Sequence, residues 1–310
     1  QAREAEQRAA KAAREAARQG KVKRMHSHRK ARRAWLVPLA AAAVIASGMF
    51  ILTMIPAAKS GAGMQVSGNK GQHVSPAVMP DKGSVRLPLR TGRESLAKVS
   101  NAVRIAGRMP SKDEVSIPEM LNSFPLKANG SVVLKRGCKL GTEIIPCPWK
   151  PSVSLILVEV HGAKDRQRAL SVEYRADDDS VITHRLIGYS PVSGGEQSAG
   201  ISQMEANATM LLVIAVEART EDLGKLIWTV DGEAAPPIPL VRDPEKEPSD
   251  DARFAALVSG FGIWLLGEDR ASLDASMVLA LAREVAADGL VADRYDFLIL
   301  VDQVMKLSGK

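Results

Sequence analysis

Residues 154–189 read SLILVEVHGAKDRQRALSVEYRADDDSVITHRLIGY, three apolar runs separated by short polar stretches. Apolar and polar residues alternating over about four to eight positions mark half-buried strands. SLILVEVHG, ALSVEYR and SVITHRLIGY each fit, with Asp177-Asp178-Asp179 as a turn. Further on, TMLLVIAVEA (209–218) and GKLIWTVDG (224–232) continue the series after turns at Ser193-Gly194-Gly195 and Glu221-Asp222-Leu223-Gly224. Upstream, strands are expected at 131–137 and 141–146, behind the turn Asn129-Gly130. The whole series predicts an antiparallel β sheet or sandwich. The short link Ala163 to Arg168 is expected to reverse the chain, so that 154–162 and 169–175 pair antiparallel and Leu155 and Leu157 share a core with Leu170 and Val172.

Helical spacing takes over on both sides of this block. SLAKVSNAVRIAG (95–107) sets Leu96, Val99 and Val103 on one face and stops at Gly107. Ser111 and Glu114 fit a capping box before a second short helix carrying Ile117, Met120, Leu121 and Phe124. Pro236 to Pro248 reads as a connector. Three helices are expected beyond it: 250–266 capped by Ser249, 273–288 capped by Ser272 and 294–308 capped by Asp293, with Gly267, Gly289 and Gly309 past their ends. Phe254, Leu257, Val258, Phe261, Trp264, Val278, Leu281, Val301 and Val304 would form their core.

The N-terminal part is different in kind. The 310-residue chain carries a net charge of +7, and residues 1–33 hold twelve basic residues against three acidic ones, so the remainder is close to neutral. That concentration argues against a nucleic-acid-binding face on the globular part. From Ala34 to Ile55 no charge occurs, and a helix of that length spans the ~30 Å hydrocarbon core of a bilayer. Trp35 at the edge, Pro38 in the first turn and Ile55 at the far end are its anchoring residues. The Arg29–Arg33 block places residues 1–33 in the cytoplasm and exports the rest, without cleavage. Residues 57–93, rich in Gly, Ser, Pro and Lys, read as a flexible linker. The expected fold class is therefore α+β: one transmembrane helix, then an antiparallel sheet or sandwich with short N-terminal helices and a C-terminal three-helix bundle. The expected location is the bacterial inner membrane, with its lipid as one partner.

Three stretches carry a resemblance. They are RMPSKDEVSIPEMLNSF with TEIIPCPWKPSVSLILVEVHG, then LSVEYRADDDSVITHRLIGY, then SDDARFAALVSGFGIWLLG. Together they resemble the flanking regions of the YfbK-type family of bacterial von Willebrand factor A proteins, over about 94–162 and 168–308. The resemblance implies an N- and a C-terminal region separated by a von Willebrand A domain, whose metal site uses an Asp-x-Ser-x-Ser strand end. Here only Ala163 to Gln167 stands between the two regions, so that domain is absent and its metal function is not carried over. Asp274-Ala275-Ser276-Met277-Val278 lacks the second hydroxyl of the pattern.

Catalytic motifs are lacking: no G-x-S-x-G, Walker loop, G-x-G-x-x-G or H-E-x-x-H occurs. Cys138 and Cys147, the only cysteines, are candidates for a disulfide across a hairpin; the alternative is that both are reduced and buried. His26 and His28 belong to the basic tail, and His161 and His184 lie at or in strands. No enzyme, metal or cofactor is expected. The leading function class is an exported binding or scaffold module that contacts another envelope protein through its sheet edge or helical bundle. A second is a signalling regulator acting through residues 1–33. A third is an unrecognised hydrolase using His161 or His184 as base, which mutual distances would decide.

Overall fold

The computed structural model describes residues 83–89, 92–189, 202–287 and 292–309. All of them belong to one compact unit, 70–310. Two antiparallel sheets and a layer of helices stack in three tiers.

The middle tier is a five-stranded sheet built from β2 (Val132–Lys135), β3 (Cys138–Pro146), β4 (Val153–His161), β6 (Val181–Leu186) and β8 (Thr209–Ala218), in the order β2-β3-β4-β8-β6. The second sheet has β1 (Ser84–Arg86), β5 (Arg168–Arg175), β9 (Asp222–Val230) and β10 (Glu233–Ala234) in line, with β7 (Ser202–Met204) also on β5 and β11 (Ile238–Val241) also on β9. Between the sheets lies one core, where Leu140, Ile156, Val158, Leu212 and Ile214 meet Leu170, Val172, Tyr174, Leu226 and Trp228. The opposite face of the middle sheet gives Leu155, Leu157, Leu211 and Val213 to a second core shared with the helices. A strand covered on both faces has no polar side, and the interior of β4 is accordingly buried from Val153 to Val160.

The helical tier contains α1 (Ser95–Arg104), a 3-10 turn at Lys112–Glu114, α2 (Ile117–Leu121), α3 (Asp250–Leu266), α4 (Ala275–Ala287) and α5 (Ala292–Leu307). Ser249 starts α3: its hydroxyl accepts from the Ala252 N–H while its own N–H and hydroxyl donate to the buried Glu143 carboxylate on β3, both at 2.8 Å. A carboxylate at a helix N-terminus suits the helix dipole and ties α3 to the sheet. The rings of Phe124, Phe254 and Phe261 all lie edge-on to Phe297, locking α5 against α3. Gly262 lets α2 approach, since a Cβ there would stand 2.5 Å from Ile117 Cγ1. Asn122 completes the attachment. Its side-chain amide accepts from the Leu211 N–H and donates to the Leu211 carbonyl, replacing a neighbouring strand where β6 does not reach.

Several expectations are corrected. Among the described residues no helix is long and apolar enough to cross a membrane. The expected span at 34–56, with Trp35, Pro38 and Ile55, lies outside the described residues, as do the basic segment 1–33 and His26, His28 and His73. The described fold is thus α+β with two antiparallel sheets and no transmembrane helix. The strands on either side of Ala163–Gln167 do not pair. β4 belongs to the middle sheet and β5 to the outer one, so the link crosses between layers, which stack ~10 Å apart. Leu155 and Leu157 consequently face the helices, and it is Ile156, Val158 and Val160 that meet Leu170 and Val172. The linker expected to run to 93 ends earlier, because β1 adds to the open edge of β5 and Leu87 and Leu89 are buried behind it. The connector 236–248 contains β11, an edge strand where Pro239 is tolerated. The cap of α4 is Asp274, whose Oδ1 accepts from Met277 N–H at 2.8 Å, two residues later than expected.

Cys138 and Cys147 are both free and buried, so the candidate disulfide is not formed. They stand at opposite ends of β3 and on opposite faces, Cys138 toward the second sheet and Cys147 toward the helices. Nine residues of strand separate them by about 30 Å, far beyond the reach of a disulfide.

Candidate functional site

The helix-facing side of the middle sheet is apolar at its centre and polar at the end near the β2–β3 hairpin. Register puts three side chains in a row there: Lys139 on β3 lies opposite His161 on β4, and His161 lies opposite Thr209 on β8. One pair further in, Gly141 stands opposite Glu159. Period-two alternation places His161 and Glu159 on the same face.

Glu159 is 0 % exposed and its carboxylate is fully engaged. One oxygen accepts from His161 Nε2 at 2.6 Å, and the other accepts from Lys139 Nζ at 3.2 Å and from the Ala128 N–H at 3.2 Å. A buried charge is tolerated when paired and hydrogen-bonded in this way. Gly141 provides the room, since a Cβ there would lie 3.2 Å from the Glu159 Oε2. With Nε2–H donating to Glu159, the second ring nitrogen is free to accept, and the Thr209 hydroxyl sits 2.9 Å from His161 Nδ1. The result is a carboxylate, an imidazole and a hydroxyl linked in sequence, the order that general-base activation of an alcohol requires. The His161 side chain is one-third exposed and Thr209 is half-buried, so the outer end of the chain meets solvent.

Beside this row runs β2, the edge strand. Its outer side pairs with no described strand. Val132 and Leu134, opposite Gly141 and Lys139, are exposed to 48 % and 71 %. Lys135 and Arg136 turn away from this edge to salt-bridge Glu233, and Arg136 also reaches Asp231.

Of the bases expected from sequence, only His161 belongs to this cluster. His184 faces the core between the sheets, its ring 5.1 Å from that of Tyr174. Asp177, in the acidic turn, accepts from the N–H groups of Asp179 and Ser180, an Asx turn. No group of three or more metal-ligating side chains occurs among the described residues. A cleft of about 320 Å³ at the α3–α4 corner is lined by Met109, Trp264, Leu265, Arg270, Leu273 and Asp274. Asp274 is committed there as a cap, bonding Met277 N–H and the Ser276 hydroxyl. Sequence reading missed Glu159, Lys139 and Thr209. Glu159 does leave a signal, as the one charge inside the run VSLILVEVH, two positions before a histidine. No protein-family model and no curated protein matches the chain.

Proposed function

We propose that the chain is a membrane-attached binding or scaffold module of the bacterial cell envelope, and that it captures an extended segment of another envelope protein along β2. The single observation behind this reading is the unblunted edge. Proteins usually shield such a strand with charges, bulges or covering chain, because its open N–H and C=O groups template further pairing. Here Val132 and Leu134 project from one face of the edge, while Lys135 and Arg136 are held by Glu233 and Asp231. A partner strand would gain main-chain hydrogen bonds along β2 and bury alternate side chains against that apolar pair. The basic block 1–33 and the uncharged run 34–55 support attachment to anionic membrane lipid. The motif resemblance to the flanking regions of YfbK-type proteins fits a module that contacts other proteins.

A photo-crosslinking residue at position 134, in intact cells, tests the reading. An envelope protein should be trapped there and lost when Val132 is changed to Lys. Trapping only from residues 1–33 would overturn it in favour of a signalling regulator. Equal trapping from Ile105, exposed to 80 % on the helical tier, would mean unspecific contact.

A further inference from the structure

We propose that Thr209, His161 and Glu159 form an acyl-transfer site that hydrolyses small carboxylic esters through an acyl-threonine intermediate. The proposal uses other groups than β2 docking, so either can fail alone. Three observations carry it. The distances of 2.6 Å and 2.9 Å connect carboxylate to imidazole and imidazole to hydroxyl in the productive order. Glu159 is clamped by two further donors, Lys139 Nζ and the Ala128 N–H, so the imidazole is held by a carboxylate that cannot swing away. The three residues also come from directly paired strands, β4 and β8, in the middle of the most covered sheet, a rigid support of the kind such a constellation needs.

In the forward step the Thr209 Oγ1 forms a bond to the ester carbonyl carbon while its proton passes to His161 Nδ1. The imidazolium so formed is stabilised by the Glu159 carboxylate at Nε2. The Lys139 ammonium in the same cross-strand row supplies positive charge for the tetrahedral oxyanion. Collapse breaks the bond to the leaving oxygen, which takes the proton back from Nδ1 and departs as an alcohol. Water then enters, gives a proton to His161, attacks the threonine ester and releases the acid, restoring the Thr209 hydroxyl. No oxidant, reductant or metal enters the balance. Val132 and Leu134, on the same face of the sheet, offer apolar surface to an acyl chain or an aryl leaving group.

The test uses the full chain and p-nitrophenyl acetate, following nitrophenol release and then mapping the acetyl group by mass spectrometry after acid quench. The expected result is acetylation of Thr209 and a rate that falls at least about 100-fold in Thr209→Val and in His161→Gln, the range general-base catalysis contributes. Thr209→Ser, which keeps the hydroxyl, should retain the activity and take the acetyl group at the same position. It therefore keeps the proposal testable if the valine variant misfolds. Acetyl found only on Lys139 or on the imidazole would overturn the proposal. So would hydrolysis unchanged in Thr209→Val, or wild-type hydrolysis no faster than free imidazole.

Discussion

The two faces of the middle sheet are made from the same strands and have different characters. Toward the second sheet, β3, β4 and β8 present Cys138, Leu140, Ile156, Val158, Val160, Met210, Leu212 and Ile214, and the surface is apolar from end to end. Toward the helices, the same strands present Leu155, Leu157, Leu211 and Val213 at the centre, then Glu159, His161 and Thr209 where the helices stop. The first face has no group that could bind or react, and its contribution is burial alone. The second leaves one end open, where a polar group is near solvent yet rests on a rigid strand. Stability and chemistry are thus divided between faces one residue apart in sequence.

The largest effect should come from breaking the dry face. Ile156 is 0 % exposed between the sheets, and Ile156→Ala removes its outer carbons without letting two packed sheets collapse into the space. The expected loss is about 2–5 kcal/mol, read as a lowered urea midpoint at unchanged slope. Much of this division was legible beforehand. ALSVEYR alternates cleanly and becomes β5 of the outer sheet, while VSLILVEVH and TMLLVIAVEA are apolar at both parities and become β4 and β8 of the covered one. Pairing was not legible, because a strand's pattern gives its period and its faces but not its neighbour. That is why the link 163–167 looked like a hairpin turn and is a crossing between layers. The site was half-visible for the same reason: His161 and Glu159 share a strand, but Lys139 and Thr209 join them only through register.

A smaller effect is expected at the polar end of the other face. Glu159→Gln keeps the shape but replaces an acceptor oxygen facing donors by an amide nitrogen. One of His161 Nε2–H, Lys139 Nζ and the Ala128 N–H then loses its partner in a buried place. An orphaned buried donor costs about 1–3 kcal/mol, so the urea midpoint should fall by less than for Ile156→Ala. The two losses should also add in the double variant, since the residues point to opposite faces and share no partner. A shortfall from additivity would mean that the faces are coupled through β4, and the division drawn above would not hold.

The smallest effect needs no substitution, because each face already carries a thiol. Cys138 reports on the space between the sheets and Cys147 on the helical core. Burial pushes the Cys147 thiol from its ordinary 9.0 up to about 11, and burial raises Cys138 as well. The reactive species is the thiolate, so neither residue should react with an aromatic disulfide reagent in the native protein at neutral pH, and both should react in denaturant. A thiol held neutral in the fold favours folding fully below its unfolded value, and that contribution is lost as pH rises through the folded value. Stability should therefore decline between about pH 9 and 11, less in a Cys147→Ala variant than in the wild type. Slow labelling under native conditions then separates the faces. Opening at Cys138 must part cross-strand ladders, whereas opening at Cys147 needs only the helices to lift, so Cys147 should be labelled first. Equal rates would show that sandwich and helices open as one unit, and faster labelling of Cys138 would reverse the order of stability assigned to the two faces.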